Sequence, residues 1–126
     1  MSMRSQIGRA RGLGSAKTGV EHWWLQRVTA VGLIPLCLWF VASLVMLAGA
    51  DWETAYLWVA SPGGAVPLVL LLIAGLWHAK LGLQVIIEDY VHVEGVKVAL
   101  LMLTTLIASA LGVAGIFAVC KIAFGE

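Results

Sequence analysis

The sequence predicts an all-α protein, a bundle of three transmembrane helices with a cytoplasmic N-terminus and a C-terminus across the membrane, periplasmic in a bacterium. Three observations predict it. Val28–Ala50 and Val98–Cys120 are each 23 residues long and carry no charge. Between them, residues 65–87 are apolar apart from His78, Lys80 and Gln84. Lys and Arg crowd the segment before the first run and are absent from the connection that follows it. At ~1.5 Å rise per residue, each run covers the ~30 Å hydrocarbon core of a bilayer. Lipid offers the backbone no hydrogen-bond partners, so each run must be helical despite its many Val and Ile residues.

Composition points the same way. Of 126 residues, 61% are apolar and 12% charged, whereas a soluble domain carries about 25% charged residues. Too little polar side chain is present to cover a water-facing surface. The net charge of +1 says nothing about partners; the placement of the charges does, and no nucleic-acid partner is expected.

Residues 1–27 form a cytoplasmic segment. It does not resemble a secretory signal, because the first apolar run starts late and exceeds the ~7–15 residues of a signal core. Met1–Lys17 is rich in Arg, contains Ser and lacks acid, features shared with organelle transit peptides, but the same charges serve as a topology signal. Arg4, Arg9, Arg11, Lys17 and Arg27 precede the first span, residues 28–50, and hold that end inside. Pro35 is expected to bend this helix slightly.

The outer connection, residues 51–64, has no Lys or Arg; Trp52, Tyr56 and Trp58 mark the outer interface, on a short helix among the headgroups. The second span covers residues 65–88, with Pro67 expected in its first turn. The inner connection, residues 89–97, contains Lys97, opposite Trp23 and Trp24 at the same interface. The third span covers residues 98–120, and the outer tail is 121–126. Gly75, Ala79 and Gly82 form a stripe of small residues on the second span, and Ala108, Gly112 and Gly115 another on the third. Such stripes admit a close helix neighbour or a flat cofactor. Cys37 and Cys120 lie at different depths, so no internal disulfide is expected.

An ionisable group inside a membrane is costly and marks a candidate site. His78 lies near the middle of the second span. It serves equally as a hydrogen-bonded packing residue or as an axial ligand to haem iron. His22 and His92 both lie at the inner surface, so a bis-His haem needs its second His from another chain. Glu88-Asp89-Tyr90 closes the inner end of the second span. At ~100° per residue, Asp89 falls within roughly 20° of His78 and about 16 Å along the axis. Tyr90 carries a neutral hydroxyl that can donate to a ligand carbonyl, or it anchors the helix at the interface. Arg27 is either a snorkelling topology charge or a contact to a propionate or quinone. Lys80 lies about 200° around the helix from His78 and so off its face.

The segment His78-Ala79-Lys80-Leu81-Gly82-Leu83-Gln84-Val85-Ile86-Ile87-Glu88-Asp89-Tyr90-Val91-His92 resembles the second helix of the small hydrophobic anchor of succinate dehydrogenase, respiratory complex II. The elements of that pattern are His78, Gly82, Gln84-Val85 and Asp89-Tyr90-Val91. Gly12-Leu-Gly-Ser-Ala-Lys17 and His22-Trp23-Trp24-Leu25-Gln26-Arg27 are similar to the N-terminus of proteobacterial members. The resemblance implies a non-catalytic anchor in the bacterial inner membrane, serving the tricarboxylic acid cycle and aerobic electron transport. Its partners would be the larger cytochrome b anchor, the iron–sulfur subunit and the flavoprotein subunit. It further implies that His78 ligates the iron of a b-type haem shared with the larger anchor and that Tyr90 hydrogen-bonds ubiquinone. Asp89 would be the acidic neighbour of that site, and Arg27 a basic residue near the haem propionate or quinone. Lys80 departs from the apolar or small residue the pattern leads one to expect. A haem-free structural anchor and the anchor of a quinol:fumarate reductase are the alternatives.

Overall fold

A computed structural model describes residues 5–12 and 19–125. Most of the Gly12–Lys17 motif, with Arg4 and Glu126, lies outside the described residues. The described elements are all helical: α1 (Gln6–Ala10), α2 (Gly19–Met46), α3 (Trp52–Ala60), α4 (Pro62–Tyr90) and α5 (Glu94–Phe124). Helices α2, α4 and α5 are each long and apolar enough to cross a membrane. They are 28, 29 and 31 residues long, against the ~20 that a bilayer core needs, so each continues into the interface.

The apolar runs therefore understate the helices. Nine residues before Val28 are already helical, Gly19 to Arg27 forming the first turns of α2. At its other end α2 stops at Met46, and Leu47–Ala50 form a turn through Gly49 at φ 81°, a conformation that favours glycine. The connection between the second and third spans is reduced to Val91–Val93, and Asp89 and Tyr90 are the last residues of α4 rather than part of a loop.

At the opposite end of the bundle, Asp51 caps α3 by accepting the Thr54 amide at 2.9 Å. Hydrogen bonding to Thr54 holds the Asp51 carboxyl below its ordinary value. The cap is thus intact above the carboxylate range and is lost as pH falls through the lowered value. Ser61 ends α3 and starts α4: its hydroxyl donates to the Trp58 carbonyl (2.7 Å) and accepts from the Gly64 amide (3.2 Å). Pro62, not Pro67, occupies the first turn of α4. Pro67 lies one turn further in, inside the helix, where it withholds a backbone donor from the Gly63 carbonyl. Helix α2 continues through Pro35 to Met46.

Helix α4 is central. It packs against α2 on one side and α5 on the other, and α2 and α5 make no close backbone approach among the described residues. That separation also keeps the free thiols of Cys37 and Cys120 on helices that do not meet. The seam between α4 and α5 uses the glycine stripe of α5. A Cβ on Gly115 would stand 3.0 Å from Leu72 Cδ1, and one on Gly112 3.4 Å from Leu76 Cδ1. Helix α3 lies against α4 and α5, and its Trp58 stacks on Trp39 of α2 with ring centroids 5.4 Å apart. Few side chains are buried: only Leu81, Ile87 and Val119 among the apolar ones, with Ser43 the sole polar one among the described residues. Apolar side chains cover the rest, as expected of helices surrounded by lipid and partner helices.

The two glycine contacts differ in kind. A Cβ on Gly64 would strike the backbone carbonyl of Trp58, whereas one on Gly115 meets only the methyls of Leu72. Gly64→Ala should therefore cost about 1–3 kcal/mol, as overpacking does, and Gly115→Ala distinctly less. Thermal unfolding of the purified complex in detergent measures both; equal shifts would contradict the tight α3–α4 corner.

Candidate functional site

Three features of α4 define the site: His78 in mid-span, the open stripe beside it, and Asp89-Tyr90 at the end. His78 is half-buried on the side of α4 that meets α2. Its Nδ1 lies 3.1 Å from the Thr29 hydroxyl of α2. That hydroxyl is also 2.7 Å from the Leu25 carbonyl and 3.1 Å from the Gln26 carbonyl of its own helix. The partner of Nδ1 thus lies on the neighbouring helix rather than within α4. Nε2 of His78 has no hydrogen-bond partner among the described residues.

One turn further along α4, a Cβ on Gly82 would meet nothing within 4 Å. Gly75, on the other side of His78, has Leu33 of α2 as its neighbour at 3.9 Å. The stripe therefore has two uses: Gly75 receives a helix, and Gly82 leaves space open. A flat macrocycle bound at an imidazole requires such space. An imidazole with one nitrogen hydrogen-bonded, no partner for the other among the described residues, and open room one turn away could hold a haem iron from one side.

Tyr90 is 78% exposed and Asp89 is exposed beside it. Neither makes a side-chain hydrogen bond among the described residues. At ~1.5 Å per residue, Tyr90 stands roughly 18 Å along the axis from His78. Glu88, by contrast, accepts from Gln84 Nε2 at 2.9 Å. Nearby, α2 and α4 enclose a cleft of about 420 Å³ lined by His22, Leu25, Gln84, Val85 and Glu88, among others. His22 Nε2 is buried, with no hydrogen-bond partner among the described residues. The sequence placed His22 simply at the surface; the structure leaves the residue half-buried. Tyr90 does not line this cleft.

Arg27 is not brought to His78. Its guanidinium lies 5.1 Å from the centroid of the Trp23 ring. It stands about 200° around α2 from Thr29, on the outer side of the helix, where it is exposed. Lys80 lies on the opposite seam from His78, lining a recess with Gln84, Leu101, Thr104 and Thr105 between α4 and α5. It forms no ion pair among the described residues, where the single bridge is Lys97 to Glu94 at 3.6 Å.

Thr29 is the residue that the sequence did not single out. A hydroxyl that returns its proton to the i−4 carbonyl leaves the hydropathy of a span almost unaltered. The one available signal was a polar side chain inside an otherwise apolar run.

Comparisons with known proteins place the chain among relatives of known family. The family of succinate dehydrogenase/fumarate reductase transmembrane subunits matches residues 1–114. The succinate dehydrogenase hydrophobic membrane anchor subunit of Rickettsia bellii is 35% identical over 116 residues, covering 92% of this chain and 93% of that one. Its counterpart in Rickettsia conorii is 33% identical, covering 82% of each chain. That of Paracoccus denitrificans is 28% identical, covering 92% of this chain and 89% of the relative.

Proposed function

The chain belongs to the family of succinate dehydrogenase and fumarate reductase transmembrane subunits, as a multi-pass membrane anchor, and on that premise we propose that it completes two sites of succinate:ubiquinone oxidoreductase. One is a b-type haem shared with the larger cytochrome b anchor, for which His78 supplies one axial ligand. The other is the ubiquinone site, to which Tyr90 supplies a hydrogen-bond donor. The observation that carries the proposal is His78: an imidazole in mid-span, anchored at Nδ1, with no partner for Nε2 among the described residues and open space at Gly82. When bound, the haem supplies a one-electron redox centre buried in the membrane.

The residues of this chain have distinct tasks. His78 holds its group from one side only, so a second ligand must come from the larger anchor. Tyr90, at the end of α4, faces away from the bundle and forms one wall of a site that the larger anchor and the iron–sulfur subunit complete. Ubiquinone takes up two electrons and two protons there to form ubiquinol. The Tyr90 hydroxyl stabilises the carbonyl oxygen on which negative charge grows, and Asp89 beside it biases the local field and the supply of protons. Arg27 contributes only to a propionate or quinone lying on the outer face of α2. The flavoprotein subunit oxidises succinate, and this chain alone catalyses nothing.

Orientation belongs to the same proposal. The end bearing Trp23, Trp24 and Tyr90 is cytoplasmic, in the inner membrane of a bacterium, where the soluble subunits dock. A reporter fused after Glu126 should be active only on the periplasmic side; cytoplasmic activity would refute this orientation. For the function itself, the complex isolated through a tag on this chain should reduce ubiquinone with succinate faster than it reduces fumarate with quinol. The reverse ratio would identify a quinol:fumarate reductase.

A further inference from the structure

Resting on the reading of His78 as a haem ligand, we infer that Thr29 is its positioning residue: the Thr29 hydroxyl selects the Nδ1–H tautomer of His78 and thereby presents the Nε2 lone pair to the iron.

The Thr29 hydroxyl has one proton and three neighbours: the carbonyls of Leu25 (2.7 Å) and Gln26 (3.1 Å), and His78 Nδ1 (3.1 Å). Carbonyl oxygens only accept, so the hydroxyl must donate to bond either of them. The shortest of the three contacts is to Leu25, and it takes the proton. What remains on Oγ1 is acceptor capacity, and Nδ1 can bond to it only as an N–H donor. A neutral imidazole protonated at Nδ1 carries its lone pair at Nε2. The same tautomer is what metal ligation through Nε2 requires, so two independent constraints meet in one protonation state.

The arrangement also fixes the ring. Thr29 is β-branched and stiff at χ1, and its hydroxyl is tied back to α2. The imidazole thus takes its orientation from a neighbouring helix, and the α2–α4 contact becomes part of the ligand geometry. A hydrogen-bond acceptor on the far nitrogen raises the basicity of a ligating His. A more basic ligand favours the ferric over the ferrous state, which lowers the midpoint potential.

The test compares the whole complex carrying Thr29→Val, which keeps the shape and removes the hydroxyl, with Thr29→Ser, which keeps the hydroxyl. The readouts are the haem midpoint potential, the low-spin ferric EPR spectrum and haem retention on washing in detergent. In Thr29→Val the potential should shift positive, the g values should change and haem affinity should fall roughly 10- to 100-fold; Thr29→Ser should restore the unaltered values. An assembled Thr29→Val complex with unchanged potential and spectrum would overturn the inference. If Thr29→Val does not assemble, Thr29→Ala takes its place. A complex that forms with Ser but with neither Val nor Ala assigns the hydroxyl to helix packing and also overturns it. The complete absence of b-type haem from the unaltered complex would refute the underlying reading instead, which keeps the two failures apart.

Discussion

Tyr90→Phe should lower ubiquinone reduction while leaving the complex assembled and succinate oxidation intact. The substitution keeps the ring at the end of α4 and removes only the hydroxyl. Tyr90 is 78% exposed in this chain and packs little of it, so the bundle loses nothing when the hydroxyl goes. Ubiquinone has two carbonyl acceptors whose charge grows on reduction, and a fixed neutral donor near one of them favours the reduced forms. Loss of such a bond costs roughly 0.5–1.5 kcal/mol in binding alone, and more where the bond strengthens in the transition state. Each 1.36 kcal/mol is about tenfold in rate or affinity. Turnover with ubiquinone should therefore fall by about tenfold or more, while succinate oxidation with an artificial acceptor upstream of the quinone stays unchanged. If quinone affinity and turnover are untouched in an assembled complex, Tyr90 is an interfacial anchor and nothing else.

His78→Leu has the second large effect, and it falls on the cofactor rather than on turnover. Leu fills similar space in the apolar mid-span but has no lone pair, and it also ends the contact with Thr29. Haem should be lost, or retained in altered form on the partner's ligand alone, with a displaced potential and without the low-spin bis-imidazole EPR signature. Assembly and part of the quinone turnover can survive, because Tyr90 lies roughly 18 Å away along the same helix. Unchanged spectrum and potential would leave His78 as a hydrogen-bonded packing residue between α2 and α4.

The two sites were not equally legible in the sequence. His78 stood out because an ionisable residue in an apolar run has few bland explanations. Asp89 and Tyr90 stood out through the family pattern more than through chemistry, since an exposed Tyr at a helix end is also an ordinary membrane anchor. Thr29 was invisible because its partner is 49 residues away and its proton goes to its own helix. Hydropathy found the three spans but not their ends. Gly19 to Arg27 are polar enough to end an apolar run, yet they continue α2 because the interface tolerates charge on a helix. Pro67 misled for a related reason: the start of α4 is set by the Ser61 cap and Pro62, both outside the apolar run. The central place of α4 could not be read at all, since each stripe of small residues names a packing face without naming its partner.

Half of a b-type haem site is proposed to lie on this anchor, and the dithionite-reduced minus oxidised spectrum of the whole complex, purified through a tag on this chain, puts that to the test. The predicted result is a b-type difference band that His78→Leu removes or displaces in an equally assembled complex. A complex that oxidises succinate and reduces ubiquinone but shows no b-type band would contradict the claim and leave a haem-free structural anchor.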